Sequence, residues 1–171
     1  MLRYVMNSPD NILRDNLPQG SERRLTQQLV LYWNELREEG TAFPAYEQLN
    51  IKDIQHLWDD CLLVAIEYYG PDYNHKYEHV GENIPGMLGD AETITSTLSL
   101  VDNLAGYYKD VVENGKVALR EDEFTNASGK PVRYRLILLP MGHEERVEYI
   151  LVGVRYKIYD ATEETSGDQH E

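Results

Sequence analysis

Five histidines, one cysteine and thirteen tyrosines are the side chains of this 171-residue sequence with the most chemistry to offer. His75 and His79 form an H-x-x-x-H spacing that would put both rings on one face of a helix, where they could hold zinc. Here, however, Tyr73, His75, Tyr77 and His79 alternate with Asn74, Lys76, Glu78 and Val80, which is the period of a strand. Four strand residues span about 13 Å, too far for two rings to chelate one ion as neighbours. No metal site is expected. The thirteen tyrosines stand against two phenylalanines, and a buried tyrosine needs a partner for its hydroxyl. Tyr77, His79, Tyr108 and Tyr134 are the candidates to hydrogen-bond a small polar ligand between sheet and helix, with core packing as the other reading of the same residues.

No local signature assembles a nucleophile with its base. Cys61 opens an apolar run between Asp60 and Leu62, where burial raises a thiol pKa and leaves it inert. The pairs Glu38-Glu39, Asp59-Asp60 and Glu144-Glu145 are adjacent in sequence and read as solvated surface. His56 falls on a short helical pattern and His143 in a loop beside two glutamates, and neither is expected to catalyse. Gly81-x-x-x-x-Gly86-Met87 lacks the lysine of a nucleotide-binding loop. The expectation is a binding protein and not an enzyme; the alternative is a small α+β enzyme or carrier whose inward tyrosines and a histidine do acid–base work.

These residues need elements to position them. Residues 1–20, with Pro9, Pro18 and Gly20, read as an arm. Ser21 suits an N-cap, and Leu25, Leu29, Tyr32 and Leu36 recur at helical spacing before Gly40, which predicts an amphipathic helix over 21–39. Val30 and Trp33 widen its apolar face beyond one contact, so Leu29, Val30, Trp33 and Leu36 are the expected interface with a second copy, with cover by the N-terminal arm through Leu13 and Leu17 as the other reading. A short helix is predicted over 51–58. Strand patterns follow at 61–68 and 73–80, separated by Gly70-Pro71-Asp72. Ile94, Leu98, Val101, Ala105, Tyr108 and Val112 then mark a long helix that ends at Asn114-Gly115. Three more strands are predicted at 117–124, 132–139 and 147–159, joined by hairpin-like loops. Residues 161–171 make an acidic tail on a single domain spanning 21–160.

Charge and apolar run length remove other classes. Thirty acidic against sixteen basic residues give a formal charge of −14, which repels nucleic-acid phosphates and anionic lipids. The longest apolar stretches, 61–66 and 149–154, fall well short of the ~20 residues of a membrane helix. The first ten residues break into polar and turn types, so no signal peptide is expected, and a lone cysteine suits a reducing compartment. The expected location is the cytoplasm.

Certain segments go further: Leu31-Tyr32-Trp33-Asn34-Glu35-Leu36-Arg37, the turn through Pro44, Val64-Ala65-Ile66-Glu67-Tyr68, Tyr77-Glu78-His79-Val80-Gly81, Pro85-Gly86, Leu136-Ile137-Leu138-Leu139-Pro140 and Ile150-Leu151-Val152-Gly153-Val154. Across about residues 22–160 the chain resembles the stand-alone alphaproteobacterial PAS family. That resemblance implies an α+β fold, a PAS-like five-stranded antiparallel sheet with helices on one face and an amphipathic N-terminal helix. It also implies a sensory or protein-interaction role in bacterial signalling, with a partner signalling protein and dimerisation through the leading helix. A flavin-type PAS domain carries an Asn-Cys-Arg motif on a helix and an oxygen-sensing haem type a histidine on its long helix. Residues 91–114 contain no histidine, and Cys61 lies in a strand pattern, so no cofactor is expected.

Overall fold

A computed structural model describes residues 20–91 and 104–160. The expected α+β layout, one five-stranded antiparallel sheet with an amphipathic N-terminal helix, is the observed one. Helix α1 (Gly20–Leu36) leads into 3-10 turns at 46–48 and 51–60, strands β1 (Cys61–Tyr69) and β2 (Asp72–Val80), and a further 3-10 turn at 85–91. Helix α2 (Ala105–Asn114) precedes β3 (Ala118–Thr125), β4 (Pro131–His143) and β5 (Arg146–Ile158). The five strands form one sheet in the order β2-β1-β5-β4-β3, with every pairing antiparallel. Ile94, Leu98 and Val101 of the long helical pattern lie outside the described residues, as do the arm before residue 20 and the acidic tail from 161. Among the described residues no helix is long and apolar enough to cross a membrane.

The middle strands show why their sequences lack alternation. Cys61–Ile66, Leu136–Gly142 and Ile150–Val154 are buried without a break, because both faces of the sheet are covered. Gly153 pairs with Ile137 and Cys61, and a Cβ at Gly153 would run into Leu29 Cδ1, which places α1 on that face. Ile150 and Val64 point the other way, and Val64 pairs with Tyr77, whose hydroxyl meets Tyr108 of α2. The two helices therefore sandwich the sheet. The 3-10 turn at 51–60 lies beside α1, joined to it by His56 Nε2 and Gln28 Oε1 at 2.7 Å and by Tyr32 Oη donating to Asp53 Oδ2 at 3.0 Å. The turn at 85–91 lies on the α2 face, where Tyr156 Oη donates to Asn83 O at 2.8 Å.

Among the described residues two boundaries moved by three residues or more, for local reasons. Helix α1 stops at Leu36, three residues early, as Thr41 N–H and Thr41 Oγ1 both donate to Glu38 O and turn the chain toward Gly40, whose φ is 85°. Strand β4 runs on past Pro140 to His143, because the proline still pairs in register with Ile150. By contrast α2 ends where the sequence said it would, at Gly115 in the left-handed conformation with its N–H on Val111 O at 2.8 Å.

Candidate functional site

The α2 face of β2 presents the aromatic residues singled out by sequence. Tyr73, His75 and Tyr77 pair with Tyr68, Ile66 and Val64 of β1, so their rings stand in a row over the sheet. Helix α2 lowers Tyr108 onto that row. Tyr108 is 1% exposed, and its hydroxyl oxygen lies 3.2 Å from that of Tyr77. His75 meets both rings edge-on, at centroid distances of 5.5 Å to Tyr77 and 5.4 Å to Tyr108. Edge-to-face contacts at this range are the favoured geometry for aromatic rings. The result is a cluster of three polar-tipped rings between sheet and helix, with hydroxyls and an imidazole set into an otherwise apolar layer.

His79 does not join them. The register jumps from Leu63↔His79 to Val64↔Tyr77, so Glu78 is an extra residue bulged out of β2. A one-residue bulge reverses the alternation beyond it, and His79 shares the face of Leu63 instead of that of Val64. There it stacks on Trp58, centroids 4.0 Å apart and planes 11° from parallel, and donates Nε2–H to Trp58 O at 2.9 Å. Its place in the ligand set read from the period-two pattern is corrected by this bulge.

Tyr134 sits on the α2 face but farther along the sheet, paired with Tyr156 and Asp122 and tilted against Phe124 at 6.2 Å. Its neighbour on α2 is Tyr107, not Tyr108. Burial first, and then a hydrogen bond with Tyr107, hold the Tyr134 phenol well above the usual tyrosine range. Successive residues of α2 thus grip two aromatic groups, Tyr108 toward β2 and Tyr107 toward Tyr134. Tyr107 was missed in the sequence, although its adjacency to Tyr108 and the helical spacing would have put it about a quarter-turn away.

The leading helix is used differently from the expectation. Leu29 and Val30 have no exposed surface and Trp33 is 4% exposed, while Leu36 is half-buried against the core. Trp33 also donates its indole N–H to Pro140 O at 2.7 Å. The spare apolar face expected at Val30 and Trp33 is therefore spent within the chain, and Leu31, 43% exposed, is the large apolar residue that α1 turns outward.

Cys61 is fully buried, donates Sγ–H to Leu57 O at 3.2 Å, and has its thiol pushed up to about 12 by burial and then by Asp60. Such a thiol is no nucleophile near neutral pH. Among the described residues no group of three or more His, Cys, Asp or Glu is arranged to hold a metal ion.

A second constellation was not anticipated. His143, at the β4–β5 hairpin, lies with Nδ1 2.7 Å from Glu148 Oε1 and Nε2 3.1 Å from Glu47 Oε1. It borders a cleft of about 680 Å³ whose walls include Glu38, Phe43, Glu47, Gly142 and Glu145. The acidic neighbours Glu144 and Glu145 were visible in sequence; Glu47 was not, since nothing local links it to the hairpin.

No family model matches the sequence, and no curated protein matches it. Among solved structures the chain is similar to that described as the crystal structure of Rhodobacter sphaeroides LOV protein, at 12% identity and a TM-score of 0.35, covering 70% of this chain and 74% of that one.

Proposed function

We propose that this protein is a PAS-like sensory domain of a bacterial signalling system, acting in the cytoplasm by binding and not by catalysis. A small polar ligand engages the ring cluster between sheet and α2, and a partner protein, a second copy of the chain included, reads the outcome. The observation that supports this reading is the Tyr77–Tyr108 hydroxyl contact with His75 edge-on to both rings. Two hydroxyls and an imidazole in an apolar layer are directional groups that a polar ligand can exchange for its own. Such an exchange separates Tyr108 from Tyr77 and so moves α2 against β2. Catalysis fits less well: His79 commits Nε2 to a backbone carbonyl, and Cys61 is sealed and protonated.

Native mass spectrometry of freshly purified protein tests both parts. A retained small molecule is expected in the wild type and its loss in Tyr77→Phe, together with a dimer peak. A bare chain in both proteins overturns the ligand, and a monomer at high micromolar concentration removes the second copy as partner.

A further inference from the structure

Both ring nitrogens of His143 face carboxylate oxygens that belong to different parts of the chain. Nδ1 meets Glu148 Oε1 of β5 at 2.7 Å, and Nε2 meets Glu47 Oε1 of the 46–48 turn at 3.1 Å. An ionised carboxylate only accepts hydrogen bonds, whereas a neutral imidazole carries one donor and one acceptor nitrogen. One of the two contacts would then set lone pair against lone pair. Nδ1 makes the hydrogen bond to Glu148 and Nε2 an ion-pair contact with Glu47, and only the imidazolium, positively charged and with an N–H at each nitrogen, is attracted at both.

The surroundings favour the charged ring. Glu144 in the turn adds a third nearby negative charge, and Glu38 and Glu145 line the same cleft. The opposing cation is Arg146, the register partner of His143, and its guanidinium lies over the Tyr68 ring at 3.7 Å. Two further contacts span the same junction: Tyr46 stacks on Tyr149 at 3.8 Å, and Gly142 N–H donates to Pro44 O at 2.9 Å. The phenol of Tyr149 is raised, by burial first and then by Tyr46, and stays neutral near pH 7.

We propose that His143 is a proton-operated latch that fastens the 41–50 connection to the β4–β5 hairpin when its ring is charged and releases Glu47 when the ring is neutral. The hydrogen bond to Glu148 and the charges of Glu47 and Glu144 raise the pKa of His143 above the ordinary histidine value. A folded-state pKa above the unfolded one gives a contribution that is complete below the unfolded value, near 6.5, and disappears as pH rises through the folded value. The latch is therefore closed at mildly acidic pH and opens on the alkaline side of about 6.5. Release leaves the Tyr46–Tyr149 stack and the Gly142 bond to hold the junction, so the 41–50 connection loosens without unfolding.

The test is a pH titration followed by NMR on the full chain, reading the His143 ring and the backbone amides of Glu47 and Gly142. The His143 midpoint is expected above 6.5, the two amides should titrate with that same midpoint, and Glu47→Gln and Glu148→Gln should each lower it. In His143→Gln the two amides should lose that step while the spectrum stays that of a folded protein. A His143 midpoint at or below 6.5, or amides of Glu47 and Gly142 that ignore it, overturns the latch. A glutamate variant that leaves the midpoint in place does the same.

Discussion

The indole N–H of Trp33 donates a buried hydrogen bond of 2.7 Å to the carbonyl oxygen of Pro140, fastening α1 to the late part of β4. Proline brings no N–H to the sheet, but its carbonyl is free to accept, and the tryptophan occupies it. Trp33→Phe keeps most of the ring and removes the donor. It should cost about 1–2 kcal/mol in urea unfolding, since a buried carbonyl loses its partner. Trp33→Ser and Val30→Ser should cost more, roughly 3 kcal/mol or above, with cooperative unfolding throughout. A Trp33→Ser protein with an unchanged urea midpoint would refute the core assignment.

Gly153 is the floor beneath α1. A methyl group there would collide with Leu29 Cδ1 and come within 3.0 Å of Ile137 Cγ2, inside a layer that has no slack. Gly153→Ala should therefore destabilise by about 1–3 kcal/mol, although alanine suits a strand better than glycine does. Restoring stability with Leu29→Ala in the same chain would show that the collision is with that side chain; the double variant should be more stable than the sum of the two losses predicts.

The Tyr77–Tyr108 contact is open to a double-mutant cycle. Tyr77→Phe and Tyr108→Phe each delete one hydroxyl and keep the ring. Each should cost about 0.5–1.5 kcal/mol, and the pair should show a coupling of roughly 0.5–1 kcal/mol. A coupling near zero would mean that the two hydroxyls are satisfied independently of one another.

The β4–β5 hairpin turns through Glu144 and Glu145 with φ values of 51° and 63°. Two residues in the left-handed region make the turn type that matches strand twist, and glycine adopts it without the steric penalty that glutamate bears. Glu145→Gly should raise stability by about 0.5–1 kcal/mol. A loss of stability in the same urea experiment would show that the Glu145 side chain holds more than its backbone strain costs.

The Cys61 thiol, held up to about 12 by burial and by Asp60, should resist thiol reagents at pH 8 as long as the protein is folded. Labelling should appear only across the unfolding transition. The linkage follows the same sign: the unfolded thiol ionises first as pH climbs past about 8.5, so this group favours unfolding progressively between there and its folded pKa. Rapid labelling of native protein at pH 8 would contradict the sealed site.

What the sequence determined by itself was the five strands, the leading helix and the end of α2. The period-two run of β2, the unbroken apolar runs of β1 and β5, and the Asn114-Gly115 stop of α2 are local patterns, and each reflects a force that acts over a few residues: pleat, burial or a left-handed cap. The pairing of His75 with Tyr77 on one face followed from the same period. Tertiary structure decided the rest. One bulged residue, Glu78, turned His79 to the opposite face of the sheet and onto Trp58, a reversal that no alternation pattern records. Whether Val30 and Trp33 faced a partner or their own sheet depended on where Pro140 and Gly153 arrived in space. Glu47 and His143 lie far apart along the chain, and only the return of β4 past the 41–50 connection brings the Glu47 carboxylate to the imidazole Nε2. Side-chain chemistry is written in the sequence, but a hydrogen bond exists only within about 3 Å, and that distance is set by the packing of elements remote in sequence.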